Sequence, residues 1–195
     1  MRAILASIAM LLAVSAPAWA EAFVTPFYGF NFGGDSNANC QTFTGCEDKR
    51  ANFGVAFGTR GPVFGFEEDI AFAKDFYGSI TTGDSAVFSL MSNLVAGIGR
   101  GPVQPYVIVG AGLIRSRTSL SLIDQFERKN NSLGYDVGVG VNVFFTSHVG
   151  IHGDIRRFHT FQDVDIPVIG SNLTAVFVGQ KLDFSRASAG VAFRF

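Results

Sequence analysis

Charge is scarce in this chain. Asp, Glu, Lys and Arg make up 16% of its 195 residues, and 15 basic against 16 acidic residues leave a formal net charge of −1. So little charge, so evenly balanced, offers no basic face to nucleic acid. It also argues against an ordinary soluble domain, whose surface has to be wetted by charged side chains. Cysteine is scarcer: Cys40 and Cys46 are the only two. Their spacing is neither C-x-x-C nor C-x-H, and no histidine lies nearby, which argues against a metal or redox pair. The three histidines, His148, His152 and His159, are too scattered to suggest a metal site. No repeat of fixed period, low-complexity tract or linker divides the chain, which points to a single domain. Long apolar runs are missing after the first twenty residues, because Gly, Asp, Asn or Arg interrupts each one. A membrane-spanning helix needs about 20 such residues, so none is expected.

What is present begins with "MRAILASIAMLLAVSAPAWA". Arg2 precedes an apolar run from Ala3 to Val14, and Ala18-Trp19-Ala20 supplies an A-x-A cleavage site. That is the pattern of a secretory signal peptide over residues 1–20, with the mature chain starting near Glu21. Export implies an oxidising compartment. Cys40 and Cys46 share the polar loop "GGDSNANCQTFTGCEDKR", and a disulfide between them is the expected state.

The 21 phenylalanines and 23 glycines all follow the leader. Richness in both without a long apolar run suggests many short alternating strands. In "SLGYDVGVGVNVFF", residues 132–145, Leu133, Tyr135, Val137, Val139, Val141 and Val143 alternate with Gly134, Asp136, Gly138, Gly140 and Asn142. Strict alternation of this kind is a strand with two unlike faces. Comparable segments occupy 22–33, 51–60, 63–73, 86–99, 104–117, 149–159 and 184–195. Gly61-Pro62, Arg100-Gly101-Pro102 and Thr146-Ser147-His148 mark short turns, and four longer polar stretches join the other ends. The expected fold is an all-β, eight-stranded antiparallel transmembrane β-barrel in up-and-down order over residues 21–195, with both termini on the periplasmic side.

The direction of the faces follows from their chemistry. A soluble barrel needs a hydrophilic outer face, yet the non-apolar face here is mostly Gly, Ala, Ser and Asn. Small residues suit the crowded interior of eight strands, so the Val/Phe face is expected to meet lipid. Phe144 and Phe145 then fall at the periplasmic interface, where aromatics collect.

Parity turns Glu67, Asp69, Asp136, His152, Asp154, Arg156, Arg186 and Arg194 inward. Enclosed charges should pair, because isolated ones are costly. The expected result is a plug of salt bridges, with a narrow ion path as the alternative; a general diffusion pore would not fit. Glu68 does not fit the alternation and predicts a bulge or a position nearer the interface. Arg157 reads outward near the extracellular end, within snorkelling reach of lipopolysaccharide headgroups.

The segments "SLMSNLVAG", "QPYVIVGAGLI" and "YDVGVGVNVFFTSHVGIHGDIRRF" give the chain the look of a known family. It resembles the small outer-membrane β-barrel proteins of the outer-membrane protein A transmembrane-domain and opacity-protein type. The resemblance spans the whole mature chain and implies an outer-membrane location in a Gram-negative bacterium. The end, "SAGVAFRF", is similar to the signal read by the barrel-assembly machinery, with Ser188, Gly190, Phe193 and Phe195 in the matching places. The implied partners are outer-membrane lipid, lipopolysaccharide and that machinery, with a host, phage or surface ligand at the loops and a monomeric barrel. The family includes adhesins, tethers and resistance factors, so it implies no single function.

Catalytic patterns are incomplete. "VIVGAGLIR" has Gly110 and Gly112 of a dinucleotide-binding turn, but Arg115 stands where the third glycine belongs and no helix follows. "RRFHTFQD" resembles the arginine-containing strand of lipid A deacylases ending at His159, yet Phe161 occupies the place of the serine nucleophile. Thr160 points to the opposite face and is a poor substitute. No catalytic residue, cofactor or metal is expected. Function should then reside at the loops. One carries Arg115, Arg117, Asp124, Glu127, Arg128 and Lys129, and another Asp35, Glu47, Asp48, Lys49 and Arg50. The reading is a structural or interaction protein without catalysis; the alternatives are a lipid A-modifying enzyme and a small ion or solute channel.

Overall fold

The computed structural model describes residues 20–34, 51–76, 83–98, 101–120, 126–169 and 175–195. The leader, Cys40, Cys46, the first-loop charges Asp35, Glu47, Asp48, Lys49 and Arg50, and Asp124 lie outside these residues. The described chain forms β1 (Glu21–Phe32), β2 (Ala51–Arg60), β3 (Phe64–Lys74), β4 (Gly83–Gly97), β5 (Val103–Leu120), β6 (Phe126–Phe144), β7 (Val149–Ile169) and β8 (Ala175–Arg194). Each strand pairs antiparallel with the next, and β1 closes on β8. Closure satisfies the backbone polar groups within the protein, as a membrane-spanning sheet requires.

Alternation assigns the two faces. On β1, Phe23, Thr25, Phe27, Gly29 and Asn31 are buried while Val24, Pro26, Tyr28 and Phe30 are exposed. On β6, Val137, Val139 and Val141 are exposed, whereas Asp136 is fully enclosed. The large apolar residues therefore cover the outside and the polar ones line the lumen. Glycines make room there. A Cβ on Gly140 would overlap the Tyr106 hydroxyl, and one on Gly138 would come within 2.8 Å of Arg156 Cγ.

Three expectations need correction. The polar stretches after residue 117 and after residue 159 read as loops, but pairing continues through them: β5 to β8 contain 18, 19, 21 and 20 residues, against 12 in β1 and 10 in β2. Polar composition marks contact with water, not the end of a ladder. A register shift between His159 and Asp163 accompanies this extension of the β7–β8 pair. Phe144 does not face the periplasmic interface: it is buried in the barrel mouth, and only Phe145 is outward and exposed.

The lumen also holds more apolar bulk than small-residue alternation suggests. Phe76, Met91, Ile114, Phe158, Leu182 and Phe184 form one buried cluster in its extracellular half. Phe158 stacks on Phe184 with ring centroids 4.9 Å apart, and Phe76 meets Phe184 edge-on at 4.8 Å. Phe23 and Phe27 pack with Ala56 and Ala71 on the β1–β3 side, and Val95, Tyr106 and Ile108 pack lower on the β4–β5 side.

Candidate functional site

Beneath the apolar cluster lies a buried ion network built by β3, β6, β7 and β8. Arg156 is 1% exposed. Its Nη2 donates to Glu67 Oε1 at 2.8 Å and its Nε to Asp154 Oδ2 at 2.5 Å. Its Nη1 lies 3.6 Å from Asp69 Oδ2 and 3.8 Å from Asp136 Oδ2. Arg186 forks onto Asp69 through two hydrogen bonds, at 3.0 and 2.7 Å. Its guanidinium also lies between rings, 4.8 Å from the Phe27 centroid and 4.9 Å from that of Phe158. The two arginines thus tie the polar layer to the apolar one above it. Asn93 joins the network when its amide is assigned to suit both neighbours, donating to Asp136 at 2.9 Å and accepting from Arg156 at 3.2 Å.

The periplasmic side of this network is lined with softer polar groups. His152 Nδ1 and Asn142 Oδ1 lie 2.9 Å apart, and His152 Nε2 is 3.5 Å from Asp154 Oδ2. Ser188 donates to Asp154, and the Tyr106 hydroxyl reaches Asp154 Oδ2 at 3.4 Å. Arg60 closes the lower edge, with Nη2 4.0 Å from Glu67 Oε2.

The structure therefore brings Glu67, Asp69, Asp136, His152, Asp154, Arg156 and Arg186 together and leaves Arg194 apart. Arg194 sits at the mouth, donating to the Ser147 carbonyl at 2.5 Å and reaching Glu21 at 3.4 Å, with Phe144 4.1 Å beneath it. Parity identifies the face a residue occupies but not its depth, and Arg194 is one residue from the chain end. Arg60, Tyr106 and Asn93 were missed. Arg60 shares the parity of Ala56 and Gly58, so its direction was readable, and the β2–β3 hairpin register makes it the diagonal neighbour of Glu67. Ser188 and Gly190 line the lumen, while Phe193 and Phe195 are outward. Gly110 and Gly112 also face the lumen, against Asn93 and Met91 respectively.

Among the described residues, the outer wall carries one carboxylate in its apolar band. Glu68 faces outward opposite Phe57 and Ser92, and no bulge interrupts the register from Gly65 to Ala73. It accepts hydrogen bonds from Ser92 Oγ at 2.8 and 3.0 Å instead. At about 3.3 Å per residue and a tilt near 40°, Glu68 stands roughly 10 Å above Phe64, inside the apolar band.

The extracellular end of the wall is different. Arg157 donates to Asp183 Oδ2 across the β7–β8 pair at 2.6 Å and stays 60% exposed. Tyr135 packs on His159 and Phe161 at 5.5 and 5.4 Å. Lys74, Arg115, Arg117 and Lys181 are exposed on outward positions near the same end. Arg115 and Arg117 thus belong to β5, not to a loop. Asp183 lies opposite His159, but among the described residues no hydroxyl is bonded to His159. Thr160 faces inward and accepts from the Leu182 amide at 2.8 Å.

Comparison with curated protein sequences returned no match. The fold is similar to those of several solved structures, among them three small barrels. Neisserial surface protein A has a TM-score of 0.59 and 18% identity, covering 90% of this chain and 97% of that one. The N-terminal β-barrel domain of Pseudomonas aeruginosa OprF has a TM-score of 0.52 and 13% identity over 90% and 97%. Ail, the attachment invasion locus protein of Yersinia pestis, has a TM-score of 0.51 and 15% identity over 90% and 97% in its complex with the heparin analogue sucrose octasulfate. At these identities the likeness is one of fold. Residues 6–195 match the family described as outer membrane protein beta-barrel domain, and this chain belongs to that family of outer-membrane barrels.

Proposed function

We propose that this protein is a non-conducting, non-catalytic barrel that serves as a structural and interaction element of the outer membrane, acting at its extracellular end. The observation that carries this reading is the double closure of the lumen. Arg156 and Arg186 fill the middle with their carboxylate partners, and Met91, Ile114, Phe158 and Phe184 are packed directly above. An ion crossing the barrel would have to break the buried salt bridges and then pass the packed apolar cluster. Both steps are expensive.

The interaction surface is the outward basic set Lys74, Arg115, Arg117, Arg157 and Lys181, interspersed with outer-wall aromatics such as Phe72, Tyr135 and Phe161. Guanidinium and ammonium groups at that height suit the phosphates of lipopolysaccharide or a polyanionic surface ligand. Ail, a structural neighbour, has been crystallised with a sulfated heparin analogue. A leader cleaved before Glu21 and delivery by the barrel-assembly machinery, through a terminal signal containing Phe193 and Phe195, belong to the same reading.

Planar bilayers provide the test. The refolded barrel is expected to show no stepwise conductance, and labelled lipid A is expected to remain intact in its presence. Discrete conductance steps abolished by Asp69→Ala or Arg186→Ala would replace this reading with a channel; hydrolysis of lipid A would replace it with an enzyme.

A further inference from the structure

Two hollows meet at the periplasmic end of the barrel. One is a polar cavity of about 210 Å³ lined by Glu21, Arg60, Gln104 and Arg194. The other is a groove of about 750 Å³ on the outer wall, bounded by Phe64, Ala96, Val107, Val141, Gly153 and Ile155. Gly97, Ile98, Pro105 and Tyr106 line both, so the two hollows lie on either side of the same stretch of barrel rim.

The polar cavity is cationic. Arg60 lies between the rings of Phe23 and Tyr106, at 4.9 and 4.8 Å, and its Nε has no hydrogen-bond partner. Its nearest carboxylate, Glu67 Oε2, is 4.0 Å away, and Glu67 is committed through its other oxygen to Arg156. Arg194 is braced by Phe144 and uses Nε on the Ser147 carbonyl. Each guanidinium carries five donors, and aromatic rings hold both in place without consuming those donors. Glu21, 59% exposed at the rim with Oε2 3.4 Å from Arg194 Nη1, is the one acidic side chain among the described residues that line this cavity.

The groove has the opposite character. Its outward walls are aliphatic and aromatic. Its floor is low at Gly153, where an added Cβ would meet nothing closer than 3.8 Å. It faces the lipid and ends where the strands reach the periplasmic interface, at the height of Phe64 and Phe145. A free anion would have no use for the groove, and a bare hydrocarbon would have no use for the arginines.

We propose that this end of the barrel binds one phospholipid of the periplasmic leaflet, with its phosphate on Arg60 and Arg194 and an acyl chain along the groove past Ala96 and Gly153. Fork-shaped donors suit a phosphate, and the apolar channel runs in the direction the chain must take.

The refolded barrel, exchanged from vesicles of phosphatidylglycerol into mild detergent, is the sample to weigh by native mass spectrometry. One retained phospholipid per barrel is expected. Arg60→Gln with Arg194→Gln should lower retention about tenfold or more, as loss of charge-assisted bonds implies. Gly153→Leu should lower it too, by filling the groove with both arginines intact. Diacylglycerol should not be retained, and inorganic phosphate should not displace the lipid. The heat-modifiable gel shift reports that each variant has folded. If Arg60→Gln does not fold, Arg194→Gln alone carries the test, because Arg194 sits at the partly exposed mouth. Equal retention by the arginine variants, no effect of Gly153→Leu, or displacement by phosphate alone would each overturn the proposal.

Discussion

Arg186 and Asp69 are 117 residues apart in sequence and joined inside the barrel by a two-bonded fork, Nη1 to Oδ1 at 3.0 Å and Nη2 to Oδ2 at 2.7 Å. They sit on β8 and β3, which are not neighbours in the sheet, so the pair spans the lumen and braces one wall against the other. The pair forms only when the barrel is closed. Breaking it leaves a buried charge without its partner, which costs far more than the pair contributes in net terms.

The first prediction concerns that asymmetry. Asp69→Leu should destabilise the refolded barrel by about 3–5 kcal/mol, and so should Arg186→Leu. The double variant Asp69→Leu with Arg186→Leu should cost clearly less than the sum, because no orphan charge remains. Urea titrations in lipid vesicles, with folded and unfolded bands separated on unheated gels, read the three values. Simple additivity would show that the fork carries no coupling.

The apolar layer makes a second claim. Phe158 is fully buried and stacks on Phe184 at an interplanar angle of 7°. Phe158→Ala should cost about 3–5 kcal/mol, the range for removing a buried ring. It should not open a conducting path by itself, since Arg186 and Arg156 still close the lumen below. Stability and conductance measured on the same preparation separate these effects. A loss under about 1 kcal/mol would mean that the layer is loosely packed.

Much of this was legible in sequence because a strand has a period of two. In "HGDIRRFH", His152, Asp154 and Arg156 fall on one face and Ile155 and Arg157 on the other, and parity alone sorted them. Phe158 shares the parity of Arg156, so its inward position was also readable. It was overlooked because a phenylalanine looks the same whether it faces lipid or lumen. Height was the harder quantity. Parity placed Arg194 with Arg186, but eight residues of rise along β8 separate a mid-lumen fork from the barrel mouth. The meeting of Arg60 with Glu67 follows from the hairpin register, which makes them diagonal neighbours on one face, and was readable once β2 and β3 were paired across their short turn.

Glu68 yields a third prediction. A carboxylate facing the apolar band is unfavourable, though less so than a cation, and the Ser92 hydroxyl offsets part of that cost. Glu68→Val should therefore stabilise the barrel by about 1 kcal/mol. Ser92→Ala should destabilise the wild-type barrel by a similar amount and have almost no effect beside Glu68→Val, since only the hydrogen bond to Glu68 is removed. A destabilised Glu68→Val variant would contradict this account of the wall.

The last prediction addresses the extracellular end. Arg115, Arg117, Arg157 and Lys181 project outward on β5, β7 and β8, and Arg157 is held by Asp183 so that its guanidinium points in a defined direction. Exposed single charges contribute little, about 0.2–1 kcal/mol each, so one substitution should be hard to detect. Changing all four to Gln should add up, lowering affinity for lipopolysaccharide-containing nanodiscs by about tenfold or more. The effect should shrink as salt is raised, because the Debye length falls from about 10 Å at 0.1 M to about 3 Å at 1 M. Asp183→Asn should act differently: it releases Arg157 from its partner without removing the cation, so binding should persist while its salt dependence steepens. If the four-fold variant binds lipopolysaccharide as the wild type does at low salt, the outward basic set is a solvated rim and the interaction lies elsewhere on the extracellular face.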